Sequence, residues 1–202
     1  MDAIDEGLRG FARFARERLV QPDGSVRRGS RPAIEALRLY NTPWLAHFFH
    51  DQFALYDDPA DLDFAARLLE ASYALGVRDH LLIGQPEAIA AVTATLAEHG
   101  QTARAKVLRD ALIDHALAFV DRGAALPAHE VSYEQSMVAP LVSLIATAYG
   151  ASSDERLLTA LRPAVRWLRA FGSVTSASGT GTGTGSASTV SGVTRSRTTG
   201  AC

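Results

Sequence analysis

Four residues at the opening of one helix form the most chemically suggestive group in the chain. They are His129, Glu130, Tyr133 and Glu134, within Leu126-Pro127-Ala128-His129-Glu130-Val131-Ser132-Tyr133-Glu134 and the apolar run that follows to Ile145. At about 100° per residue, Val131, Val138, Val142, Ile145 and Tyr149 share one arc, widened on one side by Leu141, Leu144 and Ala148. Glu134 falls near the middle of that arc and Glu130 inside it. A carboxylate on an apolar face is costly unless it is paired, hydrogen-bonded or used. The pattern therefore points to the floor of a polar pocket. The plainer alternative makes Glu130 part of an acidic first turn, favourable for the helix dipole, and Glu134 half of a core ion pair.

Two carboxylates flanking a bond, one with a raised pKa, are the usual equipment for glycoside hydrolysis. Residues four apart on one helix are close neighbours, whereas a catalytic pair usually comes from two elements. Asp51 is the best distant partner for Glu134. His129 and Tyr133, also four apart, are candidates for a general base and a sugar-stacking ring; a histidine opening a helix also serves as a cap or a solvated group. A second set, Asn41, Trp44, His47 and Asp51, belongs to an earlier helix. Trp44 reads as core packing first and as a substrate platform second. His47, His50 and Asp51 have ligand-like spacing, but no further ligand cluster supports a metal, and no cofactor is expected. Asp57-Asp58-Pro59-Ala60-Asp61 spells a DDxxD diphosphate motif. That motif needs an unbroken helix, and Pro59 favours a turn and cap instead.

Composition narrows the function classes. The chain has 202 residues, 47% of them apolar, and a net charge of −2. That balance suggests neither nucleic acid nor an anionic membrane as partner, and no apolar run is long enough to span a bilayer. The acidic opening Met1-Asp2-Ala3-Ile4-Asp5-Glu6 lacks a signal-peptide layout. The one cysteine is Cys202, so a disulfide framework is excluded, and a cytoplasmic protein is expected. One lysine, Lys106, against many arginines suggests a GC-rich gene.

The elements that must position these groups read as helical nearly throughout to Phe171. Expected helices are Ile4 to Leu19, Ala33 to Tyr40, Pro43 to Tyr56 with Thr42 as N-cap, and Leu62 to Leu75. Others follow after Gly84-Gln85-Pro86-Glu87, from Ala103 to Val120, from the Glu130 region to Tyr149, and from Glu155 to Phe171. The openings near Pro43, Pro86 and Glu130 recur every forty to forty-five residues or so, as in a repeat architecture. Two links also match: Tyr56-Asp57-Asp58-Pro59-Ala60-Asp61-Leu62 and Tyr149-Gly150-Ala151-Ser152-Ser153-Asp154-Glu155-Arg156-Leu157.

Helical hairpins with such links resemble the α/α-toroid proteins, the six-hairpin glycosidase-like superfamily, over roughly residues 33 to 171. The resemblance implies an all-α fold and inner helices whose N-terminal loops line a carbohydrate-binding funnel. It also implies a glycoside hydrolase-like activity carried by Glu134, Glu130 and His129, with Tyr133, Asn41, Trp44 and Asp51 contacting substrate. An epimerase or lyase on the same scaffold would lean on His129 and Tyr133, and a non-catalytic interaction module would need none of them. A full toroid takes about twelve helices, so only an arc is expected.

Residues 1–172 thus form one hairpin domain. Residues 173–202 read either as a disordered linker or as a shifted reading frame whose alternative codons permit an aromatic, acidic string. On the second reading the chain is a fragment with little activity. In either case apolar positions of the last helix, among them Leu158, Leu161, Trp167 and Phe171, are expected to be partly uncovered and to favour self-association.

Overall fold

Proline and acidic punctuation decides where the helices begin. The computed structural model describes residues 3–27, 39–127 and 134–172. It holds α1 (Ala3–Phe14), α2 (Thr42–Tyr56), α3 (Pro59–Ala74), α4 (Gln85–Glu98), α5 (Thr102–Arg122), α6 (Glu134–Ser152) and α7 (Glu155–Gly172). Pro43, Pro59 and Pro86 stand in the first turns of α2, α3 and α4, where a missing N–H costs nothing. Among the described residues the extended pairing is a lone antiparallel bridge between Val20 and Val26. The fold is all-α.

The two matching links are built alike. In each, the residue just past the helix end is left-handed, Asp57 (φ 54) after Tyr56 and Ser153 (φ 56) after Ser152, so α6 runs three residues beyond Tyr149. The amides of Asp57 and Ser153 donate to the carbonyls of Phe53 and Tyr149, closing α2 and α6. An aspartate then caps the next helix: Asp58 accepts from the amide of Ala60 at 3.0 Å, and Asp154 from that of Arg156 at 2.8 Å. The similarity seen in the sequence is therefore one of turn chemistry.

Helices pair as hairpins α2–α3, α4–α5 and α6–α7. Across hairpins, α2 packs on α4 and α4 on α6, while α5 packs on α3 and α7. Two layers result, an inner row α2–α4–α6 and an outer row α3–α5–α7, which is the arrangement of an α/α-toroid arc. The inner helices run in the same sense. His47 of α2 meets the Gly84 carbonyl at the start of α4, and Phe53 stacks edge-on against His99 just past the end of α4. Likewise Glu87, early in α4, is level with Ser143, and Ala97 and Ala151 line one groove near the ends of α4 and α6.

The core runs continuously between the layers. Ile89, Val92 and Leu96 of α4 are fully buried beside Phe49, Leu69, Leu112 and Leu144. The apolar arc expected for α6 is present: Val138, Leu141, Leu144, Ile145 and Ala148 are buried, with Val142 and Tyr149 partly so.

A π-helical turn, Ala15–Leu19, extends α1 and seats it on the first hairpin. Arg16 pairs with Asp61 of α3 and lies over the rings of Phe49 and Phe64, 4.7 and 5.3 Å from their centroids. The turn that follows fits against α3 so closely that a Cβ on Gly24 (φ +82) would stand 2.2 Å from that of Ala71.

Some boundaries depart from expectation. The residue capping α2 is Asn41, not Thr42, which is buried inside the helix. The α3 helix begins at Pro59 because Asp58 caps it, three residues before Leu62. Leu39–Asn41 is a 3₁₀ turn, and the rest of the expected Ala33–Tyr40 helix lies outside the described residues, apart from Tyr40.

Asp61 is buried, and desolvation raises its pKa despite Arg16. Removing the arginine alone strands a buried carboxylate. Arg16→Ala should therefore cost about 3 kcal/mol, whereas Arg16→Met combined with Asp61→Leu should recover most of it. Urea unfolding of the two variants checks this.

Candidate functional site

The N-terminal ends of the inner helices meet at one mouth. The α2 helix contributes Asn41, Trp44 and His47. The α4 helix contributes its opening at Gly84, Gln85 and Glu87, and the α6 helix its first turns. Gly84 takes a left-handed conformation (φ 83). That lets the chain turn sharply into α4 while its carbonyl accepts from His47 Nε2 at 3.2 Å. On the neighbouring side the Ser143 hydroxyl donates to the Glu87 carboxylate, tying α6 to α4. Because α6 starts nine residues before Ser143, its opening turns overhang that level by about 13 Å.

Trp44 lies in the first turn of α2 and is 61% exposed. This corrects the core-packing reading. Its indole leaves the inner row and faces solvent, as does Ile83 just before the α4 opening. Asn41 makes no side-chain cap bond to α2. Asp51 lies on the same helix seven residues beyond Trp44. Its side chain is 73% exposed and 3.6 Å from His50 Nδ1, so it is displaced from the mouth by about 10 Å along the axis.

Glu134 is the first residue of α6. Glu130, His129 and Tyr133 lie outside the described residues. His47 and His50 bond to opposite ends of α4, the Gly84 carbonyl at its opening and the Thr95 hydroxyl near its close, and among the described residues no group of three metal-ligating side chains occurs. The three carboxylate residues of Asp57-Asp58-Pro59-Ala60-Asp61 all serve the fold. Asp57 ends α2, Asp58 caps α3 and Asp61 pairs with Arg16.

Sequence reasoning missed a buried polar group beneath the mouth. His115 of α5 is buried and its Nε2–H donates to the His80 carbonyl at 3.0 Å. Gln85, also buried, donates to the Ser72 hydroxyl at 3.0 Å, which donates to the Leu69 carbonyl at 2.6 Å. His115 Nδ1, Gln85 Oε1 and the Tyr73 hydroxyl have no hydrogen-bond partner among the described residues. His80, Gln85, His115 and Pro140 enclose a void too narrow for a water molecule. The signal was available: Gln85 follows a helix-opening glycine, and His115 falls on the apolar face of α5 with Leu108, Leu112 and Phe119.

No protein-family profile and no curated protein matches the chain. Its hairpin arc is nevertheless similar to a solved structure, a polysaccharide lyase, with a TM-score of 0.76 and 25% identity. The match covers 83% of this chain and 25% of the lyase, so the chain spans about a quarter of that protein's length. No helix among the described residues is long and apolar enough to cross a membrane.

Burial pushes the His115 pKa down to about 4 from 6.5, because a second proton would sit on the partnerless Nδ1. The unfolded chain thus binds protons that the native state refuses. The stability linked to neutral His115 is complete above pH 6.5 and falls away as the pH drops towards 4, by about 3 kcal/mol. Comparing urea unfolding across this range with that of His115→Gln, which keeps a donor for His80, should show a flatter pH profile in the variant.

Proposed function

We propose that the chain is carbohydrate-directed and that the mouth at the N-terminal ends of the inner helices grips an extended polysaccharide. The observation that carries the reading is the exposed indole of Trp44 at that mouth. A pyranose ring offers an apolar C–H face and a polar rim, and a solvent-facing tryptophan beside polar groups suits both. The fold likeness to a polysaccharide lyase supports the same substrate class.

Eliminative cleavage is the reaction we favour over hydrolysis. In a uronate chain a base takes the C5 proton, which the C6 carboxyl group acidifies. The C4–O bond breaks, its electrons leave with the oxygen, and a C4=C5 double bond forms. A histidine or tyrosine can serve as base, with a second proton donor for the leaving oxygen. Four described histidines hydrogen-bond neighbouring groups, His47 with Gly84, His50 and His99 with Thr95, and His115 with the His80 carbonyl, while the His80 ring packs edge-on against Tyr40. We assign the base to His129 or Tyr133, which precede α6 in the sequence. In the hydrolytic alternative Glu134 and Glu130 share the work and the products are saturated.

The test is digestion of neutral and uronate-containing oligosaccharides, with products read for new ultraviolet absorbance and for reducing ends. Elimination should give both signals and be lost in His129→Ala or Tyr133→Phe. Hydrolysis gives reducing ends alone and should be lost in Glu134→Gln. Trp44→Ala should weaken oligosaccharide binding about tenfold, or ~1.4 kcal/mol, with folding unchanged. Binding that is unaffected by Trp44→Ala would sink the platform, and a chain that binds no sugar would favour an interaction module.

A further inference from the structure

The loop that leads into α4, residues 80–84, is fastened at both ends by histidines from different layers. From the outer row, His115 donates through Nε2 to the His80 carbonyl at 3.0 Å. From the inner row, His47 donates through Nε2 to the Gly84 carbonyl at 3.2 Å. Just past the loop, Gln85 donates to the Ser72 hydroxyl of α3 at 3.0 Å. Leu82 anchors the middle in a small apolar cluster with Leu39 and Val77, apart from the main core. The loop is thus tied to α2, α3 and α5 at once.

The tie from His115 is the unexpected one. This residue is 1% exposed, and its Nδ1 has no hydrogen-bond partner among the described residues. It shares the buried face of α5 with Leu108, Leu112 and Phe119, where a leucine would fill the space with no polar atom to desolvate. What the histidine adds over a leucine is the bond to the loop. The loop in turn touches the mouth at both ends. Gly84 lies on the first turn of α2, where an added Cβ would stand 3.9 Å from Pro43 Cβ and 3.9 Å from His47 Cδ2. Next in sequence to that contact are two exposed side chains, Ile83 and Trp44. At the other end the His80 ring meets Tyr40, just before α2, edge-on with centroids 6.4 Å apart. The height of the loop therefore sets how the α4 side of the mouth stands against the α2 side.

We propose that His115 is a positioning residue of the mouth: by holding the His80 carbonyl it fixes the 80–84 loop, and with it the place of Ile83 beside Trp44. The consequence for binding rests on the carbohydrate-directed reading above, whereas the tie itself does not. A group held in place by a buried bond needs no reordering when ligand arrives, which is where such a residue acts.

Two measurements on the whole chain test this, amide hydrogen exchange and binding of the same neutral and uronate-containing oligosaccharides. His115→Leu removes the donor, and His115→Gln keeps one at the Nε2 position. The informative amides are those of His80 and Gln85, bonded to the Val77 and Leu82 carbonyls. In His115→Leu their exchange should quicken more than tenfold while that of the α4 and α5 interiors stays as it was, and oligosaccharide binding should weaken about tenfold. His115→Gln should restore both. Unchanged exchange at His80 and Gln85, or wild-type binding with a loosened loop, would overturn the proposal. A uniform rise in exchange along all helices, with no rescue by glutamine, would mean a purely structural residue and overturn it equally. His47→Leu cuts the opposite tie at a partly exposed position, where folding is not at risk. It should loosen the Gln85 amide and weaken binding; if it does neither, the loop does not govern the mouth and the proposal falls. A wild-type chain that binds none of the sugars defeats the carbohydrate reading instead, and hydrogen exchange then decides the tie by itself.

Discussion

The structure depends on burying α4 from nearly every side. This helix touches α2, α3, α5 and α6, and Ala88, Ile89, Val92 and Leu96 have no solvent exposure. A single hairpin cannot cover such a helix, because its partner α5 shields one flank only. The neighbouring hairpins must therefore stack on both sides, as in repeat architectures whose units are unstable alone. The same demand explains why α2, α4 and α6 are apolar over most of their surface, while α7, covered on fewer sides, is strongly amphipathic.

Packing of this kind is non-directional, so something else must fix how far one hairpin slides past the next. Ion pairs in the outer layer repeat the same step along the chain. Arg104 of α5 reaches back to Asp63 and Glu70 of α3, Arg122 to Asp79, and Arg156 of α7 to Asp121 of α5. Each joins residues roughly one repeat apart. Exposed pairs of this type add little stability. Their value is in register, and Arg104, forked between two carboxylates and only partly exposed, is the best placed to set it.

The sequence made much of this legible for identifiable reasons. Proline at helix starts and aspartate caps are local signals, so the hairpin order could be read directly, whereas the match of Tyr56 with Tyr149 was out of register because Tyr149 lies inside α6 and Ser152 is the residue equivalent to Tyr56. The buried stripe of α6 followed from its period. Trp44 was misread because its position on the helical wheel borders the apolar face, and the wheel cannot tell that the first turn of α2 projects past its neighbours. The pair of Arg16 with Asp61 was invisible for another reason: it joins residues 45 positions apart across a segment with no sequence period. His115 and Gln85 were missed because a polar residue on an apolar stripe reads as an exception until its partner carbonyl or hydroxyl is known.

The architecture also determines where chemistry can reside. Along the helix walls, side chains able to react are consumed by contacts between neighbours: His50 by Thr95, His115 by His80, Asp61 by Arg16. Where the inner helices open, side chains reach solvent, as Trp44 does. Trp44 in the first turn of α2, Glu87 in the first turn of α4 and the opening of α6 at Glu134 occupy that zone. These are also the places where helix dipoles present their positive ends and favour bound anions. Three inner helices opening in one direction therefore bring three positive dipole ends to the mouth, and the carboxylate residues Glu87 and Glu134 in the first turns of α4 and α6 oppose that charge.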